Sequence, residues 1–199
     1  AGAFLALLRL YGTPDTAVSI PFTDIRLELG WFYYVFALIF ITGIINSVNL
    51  TDGIDGLASS VTLVVAVFLS VLGFTYAKYD AALLGGVTVG ATLGFLVYNF
   101  YPARIFMGDT GSLFLGGIVA GAAFVIDSPL CMAIAGIIYI CEALSDIIQV
   151  GFYKLTHKRV FKMAPIHHHF EKCGWSEKKI VFAFSAVTLI ASAIAYLGY

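Results

Sequence analysis

Asn46-Ser-Val-Asn-Leu-Thr-Asp-Gly-Ile-Asp-Gly56 separates two long apolar runs, Trp31–Ile45 before it and Leu57 to about Ala77 after it. Asn46, Asn49, Asp52 and Asp55 are three residues apart, so neighbours in the series share one side of a helical turn. Gly53 and Gly56 let the backbone bend or approach a ligand closely. Exposing such a group to lipid is costly, so in a membrane chain it faces protein, water or substrate. Two helices joined by a polar turn are the start of an all-α, polytopic membrane bundle, read as a single domain over residues 1–199.

Composition supports that class. The chain is 60% hydrophobic and 12% charged, with a mean hydropathy of +0.95. An ordinary soluble domain is about 45–50% apolar and roughly 25% charged. The net charge of −1 selects no partner, and no nucleic acid is expected. Cys131, Cys141 and Cys173 have no spacing that suggests a disulfide framework or a zinc ribbon, and read as isolated thiols. Ala1–Leu10 reads as the end of a membrane helix, with no basic region and cleavage site of a signal peptide.

Six apolar segments follow residue 30: about Trp31–Val48, Leu57–Ala77, Ala82–Tyr98, Leu113–Ile126, Pro129–Tyr153 and Ile180–Tyr199. A crossing helix needs roughly 20 residues. Residues 12–29 form a connection, and the alternation in Ser19–Leu29 suggests a short hairpin. Alternating crossings place residues 49–56, 99–112 and 154–179 on one side. These hold Arg104, Lys154, Lys158, Arg159, Lys162, Lys172, Lys178 and Lys179, eight of the eleven Lys and Arg, which makes that side cytoplasmic and the hairpin periplasmic.

The unusual polar residues fall on the same side. In Asn99-Phe-Tyr-Pro-Ala-Arg-Ile-Phe-Met-Gly-Asp-Thr-Gly-Ser112, Asp109 and Thr110 are natural helix N-caps. The alternative is that Gly108–Ser112 approaches a phosphate at a helix N-terminus while Asp109 holds Mg²⁺. Phe106 is membrane-interface packing or a stacking surface for a nucleobase. Phe161–Glu171 contains His167-His168-His169, which cannot all point the same way: one or two meet a pyrophosphate while another holds the loop. The metalloprotease pattern of two His flanking a Glu at helical spacing is absent. Glu142, Ser145, Asp146 and Gln149 form a polar stripe that lines a cavity or bonds a neighbouring helix. Gly85, Gly86, Gly90, Gly94, Gly116, Gly117 and Gly121 read as close-packing positions.

Three motifs, Asn49-Leu-Thr-Asp-Gly-Ile-Asp-Gly-Leu-Ala58, Phe106-Met-Gly-Asp-Thr-Gly-Ser112 and Ala164-Pro-Ile-His-His-His-Phe-Glu171, closely resemble the polyprenyl-phosphate N-acetylhexosamine-1-phosphate transferase superfamily. The histidine run points to its phospho-N-acetylmuramoyl-pentapeptide branch. The resemblance runs from about residue 30 to the end. It implies a ten-helix bundle, usually a homodimer, in the bacterial inner membrane with its site facing the cytoplasm. It implies Mg²⁺-dependent transfer of phospho-MurNAc-pentapeptide from UDP-MurNAc-pentapeptide to undecaprenyl phosphate, yielding lipid I and UMP. By motif match Asp109 is the metal ligand and, with Asp52 and Asp55, catalytic, while Asn49, Asp52, Asp55 and Asn99 line the polar cleft; Asn46, by its spacing in the same series, is read as substrate-binding. Gly108 and Ser112 are substrate-side, Phe106 and Gln149 contact uracil, His167 and His168 are catalytic or pyrophosphate contacts, and His169 binds substrate. The branch also carries an Asp-Asp pair that these 199 residues lack; it lies before Ala1, or the chain is inactive. Rival readings are a UDP-GlcNAc-using relative and a carrier of an anionic solute.

Overall fold

The computed structural model describes residues 16–199; the helix expected at Ala1–Leu10 and the beginning of the 12–29 connection lie outside the described residues. The expected hairpin forms. Strand β1 (Ala17–Ser19) pairs antiparallel with β2 (Arg26–Glu28), Val18 opposite Leu27. The turn between them is fastened to the far end of the chain, where the Phe22 N–H donates to the Gly198 carbonyl at 2.9 Å.

Four long helices then run up and down: α1 (Phe32–Thr51), α2 (Leu57–Thr75), α3 (Tyr79–Asn99) and α4 (Gly108–Val125). Two further helices, α5 (Pro129–Ala135) and α6 (Ile137–Thr156), meet at an angle of 80°. Short α7 (Ile166–Lys172) and long α8 (Glu177–Leu197) complete the fold. Five of these helices have the length and apolarity to cross a membrane, and α5 with α6 is a bent sixth candidate.

Five threonine hydroxyls inside these helices are satisfied by their own backbone. Thr51, Thr62, Thr88, Thr92 and Thr188 each donate to the carbonyl four residues earlier, at 2.6–2.8 Å. These five threonines are buried, and the backbone bond satisfies each hydroxyl inside an apolar helix. Helix α2 is the most buried crossing and packs against α3 and α8, while α1 packs mainly against α4.

The structure differs from the sequence expectation at three places. Segment 129–153 is not one straight helix: it breaks at Gly136, where a Cβ would sit 3.0 Å from the Tyr139 ring. The break lets Tyr139 bury completely, its hydroxyl 2.7 Å from Thr62 Oγ1 on α2. The segment expected at Leu113–Ile126 begins earlier, at Gly108, and so gains a full crossing length of 18 residues. The glycines divide as well. Gly85 and Gly116 touch neighbouring backbone so closely that a Cβ would lie 2.6 Å from Ser70 N or 2.8 Å from Ile45 Cα, whereas Gly90, Gly94, Gly117 and Gly121 face open space.

Candidate active site

Helix α1 stops at the quoted turn. The Asp52 N–H bonds to the Asn49 carbonyl at 3.1 Å, and Gly56 takes φ 76°, a left-handed value that favours glycine and leads the chain into α2. The first turn of α4 comes alongside. The Asn49 amide donates both to Asp109 Oδ1 at 3.0 Å and to Ser112 Oγ at 2.8 Å, and the Ser112 hydroxyl donates to the Gly108 carbonyl at 3.0 Å. Helix α4 has no side-chain N-cap. Asp109 lies inside its first turn with the carboxylate turned to Asn49, so the capping alternative is not the one adopted.

Asp55 is held from two sides. Its Oδ2 accepts the Ala103 N–H at 2.8 Å, and its own N–H donates to Glu177 Oε2 at 3.2 Å. Asn99, at the end of α3, accepts from Ser59 Oγ at 3.0 Å and donates to the Ile105 carbonyl at 3.0 Å. These anchors enclose a cavity of about 290 Å³ walled by Asn49, Asp52, Asp55, Asn99 and Asp109, with Gly108 in its lining and Phe106 at its lip. Phe106 is 74% exposed, an unusual position for a large apolar ring beside polar groups.

Three carboxylates line the cavity, and no Lys, Arg or His is among its lining residues. The charge shows in Asp52, whose pKa is pushed up to about 6, first by burial and then by the neighbouring Asp109 carboxylate. Among the described residues no three His, Cys, Asp or Glu side chains converge as a closed metal cage. The residues present suit Mg²⁺, which is usually held by one or two carboxylates with water and substrate phosphates completing its shell. They do not suit zinc.

Other expected site residues are placed elsewhere. Asn46 is exposed one turn earlier and donates to the Thr42 carbonyl at 2.7 Å. It is outside the cavity because the helix ends only after Thr51, which turns it to another face. Ser112 is buried behind Asn49, to which it is hydrogen-bonded. The three histidines lie on α7 and point three ways. His167 is 1% exposed, with Nδ1 2.9 Å from Glu142 Oε2. His168 pairs with Glu171, and His169 Nδ1 accepts the Lys162 N–H at 3.1 Å. None of the three lines the acidic cavity. Gln149 faces a separate cavity of about 460 Å³ and is already bonded: its Oε1 accepts from the Val160 and Phe161 N–H groups, and its Nε2 donates to the Phe161 carbonyl. Ser59 and Glu177 anchor the site, and sequence reasoning missed both; neither belongs to a motif.

A sequence profile of glycosyl transferase family 4 matches residues 1–127, which include both the turn and the start of α4. The chain belongs to glycosyl transferase family 4. Within curated glycosyl transferases, it is similar to the phospho-N-acetylmuramoyl-pentapeptide-transferase of Clostridium acetobutylicum, 56% identical over 180 residues, covering 90% of this chain and 57% of that protein. The enzyme of the same name from Clostridium botulinum strain Eklund 17B is 51% identical over 98% of this chain and 61% of its own length. That of Clostridioides difficile strain 630 is 51% identical over 91% and 56%. The chain thus spans somewhat over half the length of the relatives it matches.

Proposed function

We propose that this multi-pass membrane protein transfers phospho-MurNAc-pentapeptide from UDP-MurNAc-pentapeptide to undecaprenyl phosphate, releasing UMP and forming lipid I, a step of peptidoglycan synthesis. The observation that carries the reading is the acidic cavity at the helix ends, beside the N-terminal turn of α4, with three carboxylates and no cationic side chain in its lining. Such a cavity repels a diphosphate unless a cation comes with it. Asp109, with Asp52 beside it, would hold Mg²⁺, which supplies charge neutralisation around the transferred phosphoryl group.

In the transfer, an oxygen of the lipid phosphate bonds to the sugar-bearing phosphorus. The bridging P–O bond breaks, and UMP departs with its electron pair. Attacking and leaving groups are both phosphates, so positioning and electrostatic stabilisation are what the protein has to provide. Asn49 fixes the Asp109 carboxylate, and Ser59 fixes Asn99. Phe106 offers its open face to the uracil ring. The helix-end location favours this reading over a carrier, whose site belongs near the membrane midplane. Arg104, Lys158 and Lys178 are exposed on the same end, which supports a cytoplasmic site in the inner membrane. The family resemblance brings a homodimer with it.

The experiment supplies purified full-length protein with undecaprenyl phosphate, Mg²⁺ and either UDP-MurNAc-pentapeptide or UDP-GlcNAc, and measures UMP release. Release from the first donor alone is expected. Release only from UDP-GlcNAc, or none from either, overturns the reading.

A further inference from the structure

Glu142 and His167 form the most deeply buried ionisable contact among the described residues: Glu142 is 0% exposed, and its Oε2 is 2.9 Å from His167 Nδ1 and 3.5 Å from the His167 N–H. One atom of each side chain, Glu142 Oε1 and His167 Nε2, is buried with no hydrogen-bond partner among the described residues. Burying polar groups unpaired is costly, so a contact serving packing alone would be better made of apolar side chains. The Nε2 edge of the ring is pressed against the Asp52–Gly56 turn. A Cβ on Gly53 would lie 2.2 Å from His167 Nε2 and 2.6 Å from Cε1. His168 lies over the other side of His167, ring centres 4.1 Å apart.

The chain of contact therefore runs from α6 through Glu142 to α7 through His167, and ends on Gly53 between Asp52 and Asp55. We propose that Glu142 and His167 are positioning residues that set the Asp52–Gly56 turn by contact with Gly53, and that neither touches substrate. In this role the motif glycine at 53 is required by the histidine behind it, not by a ligand in front of it. The catalytic consequence rests on the transferase reading above; the contact itself does not.

The test is a double-variant cycle in the full-length protein. Gly53→Ala places a methyl group where the imidazole edge stands. His167→Asn keeps an amide nitrogen for Glu142 and removes that edge. Hydrogen exchange at the amides of residues 52–56 is read without substrate, and kcat and donor KM are read with it. Gly53→Ala is expected to speed exchange and lower kcat. Adding His167→Asn is expected to recover kcat by about tenfold over Gly53→Ala alone, within the roughly 2- to 150-fold coupling that contacting residues show, and to slow exchange again. Glu142→Ala should speed exchange at 52–56, and Glu142→Gln should restore it. If the two substitutions multiply without recovery, or if Glu142→Ala leaves exchange at 52–56 unchanged, the proposal falls. Exchange is measured without turnover, so failure of the assigned reaction would be seen separately as a wild-type protein that releases no UMP.

Discussion

Each end of the bundle holds a polar cavity, about 380 Å³ beneath the hairpin and about 290 Å³ at the Asp52 turn. Beneath the hairpin, Lys78 and Asp127 in the lining pair with each other. Lys78 Nζ lies 2.8 Å from the Ile126 carbonyl and 3.1 Å from Asp127 Oδ2, and the Tyr199 hydroxyl donates to the same carbonyl at 2.8 Å. At the turn, three aspartates line the space without a cation among the lining residues. The larger cavity is thus the quieter one. Uncompensated charge, held in place by Asn49, Ala103 and Glu177, distinguishes the candidate site where volume does not.

The largest predicted effect tests the charge directly. Asp109→Asn should abolish Mg²⁺-dependent UMP release with folding intact; near-normal turnover would remove Asp109 from the metal role. Phe106→Ala should raise donor KM by about tenfold, given roughly 1–3 kcal/mol for stacking a base on an aromatic ring, with a smaller change for the lipid phosphate. The reverse order would move Phe106 to the lipid side.

Asp52 predicts a pH effect. Its pKa is raised from 3.8 to about 6, so the folded state favours its neutral form. That contribution is complete below 3.8 and lost as pH rises through about 6. Asp52→Asn, permanently neutral, should therefore raise the melting temperature of Mg²⁺-free protein above pH 6, with the gain disappearing near pH 4. A gain independent of pH would contradict the charge explanation. The smallest effect belongs to the hairpin end: Lys78→Ala should leave turnover within about twofold and cost about 1 kcal/mol or less in denaturant unfolding, as partly exposed ion pairs do. A large loss of activity there would erase the distinction between the two ends.

Local spacing explains what was legible beforehand. The turn at 52–56 and the start of α4 are short motifs flanked by apolar runs, so their place at helix ends could be read directly. Three histidines in succession were bound to diverge, and they do. The anchors were not legible because they come from distant sequence: Glu177 bonds to Asp55 across 122 residues, and Ser59 to Asn99 across 40. Gly136 gave no warning of the 80° break because it sits inside an unbroken apolar run. Asn46 fitted the three-residue series but fell outside the cavity, since a spacing of three drifts round a helix of 3.6 residues per turn.

Helix α8 has a consequence for the order of assembly. At one end Glu177 receives the Asp55 N–H, and at the other the Gly198 carbonyl receives the Phe22 N–H. One rod thus clamps two early pieces of chain at opposite faces of the bundle. Chains emerge from the ribosome N-terminus first, so the acidic turn and the hairpin both wait for α8 before either is clamped. A polypeptide stalled before residue 177 would hold Asp52, Asp55 and Asp109 and still lack the strut that joins the two ends.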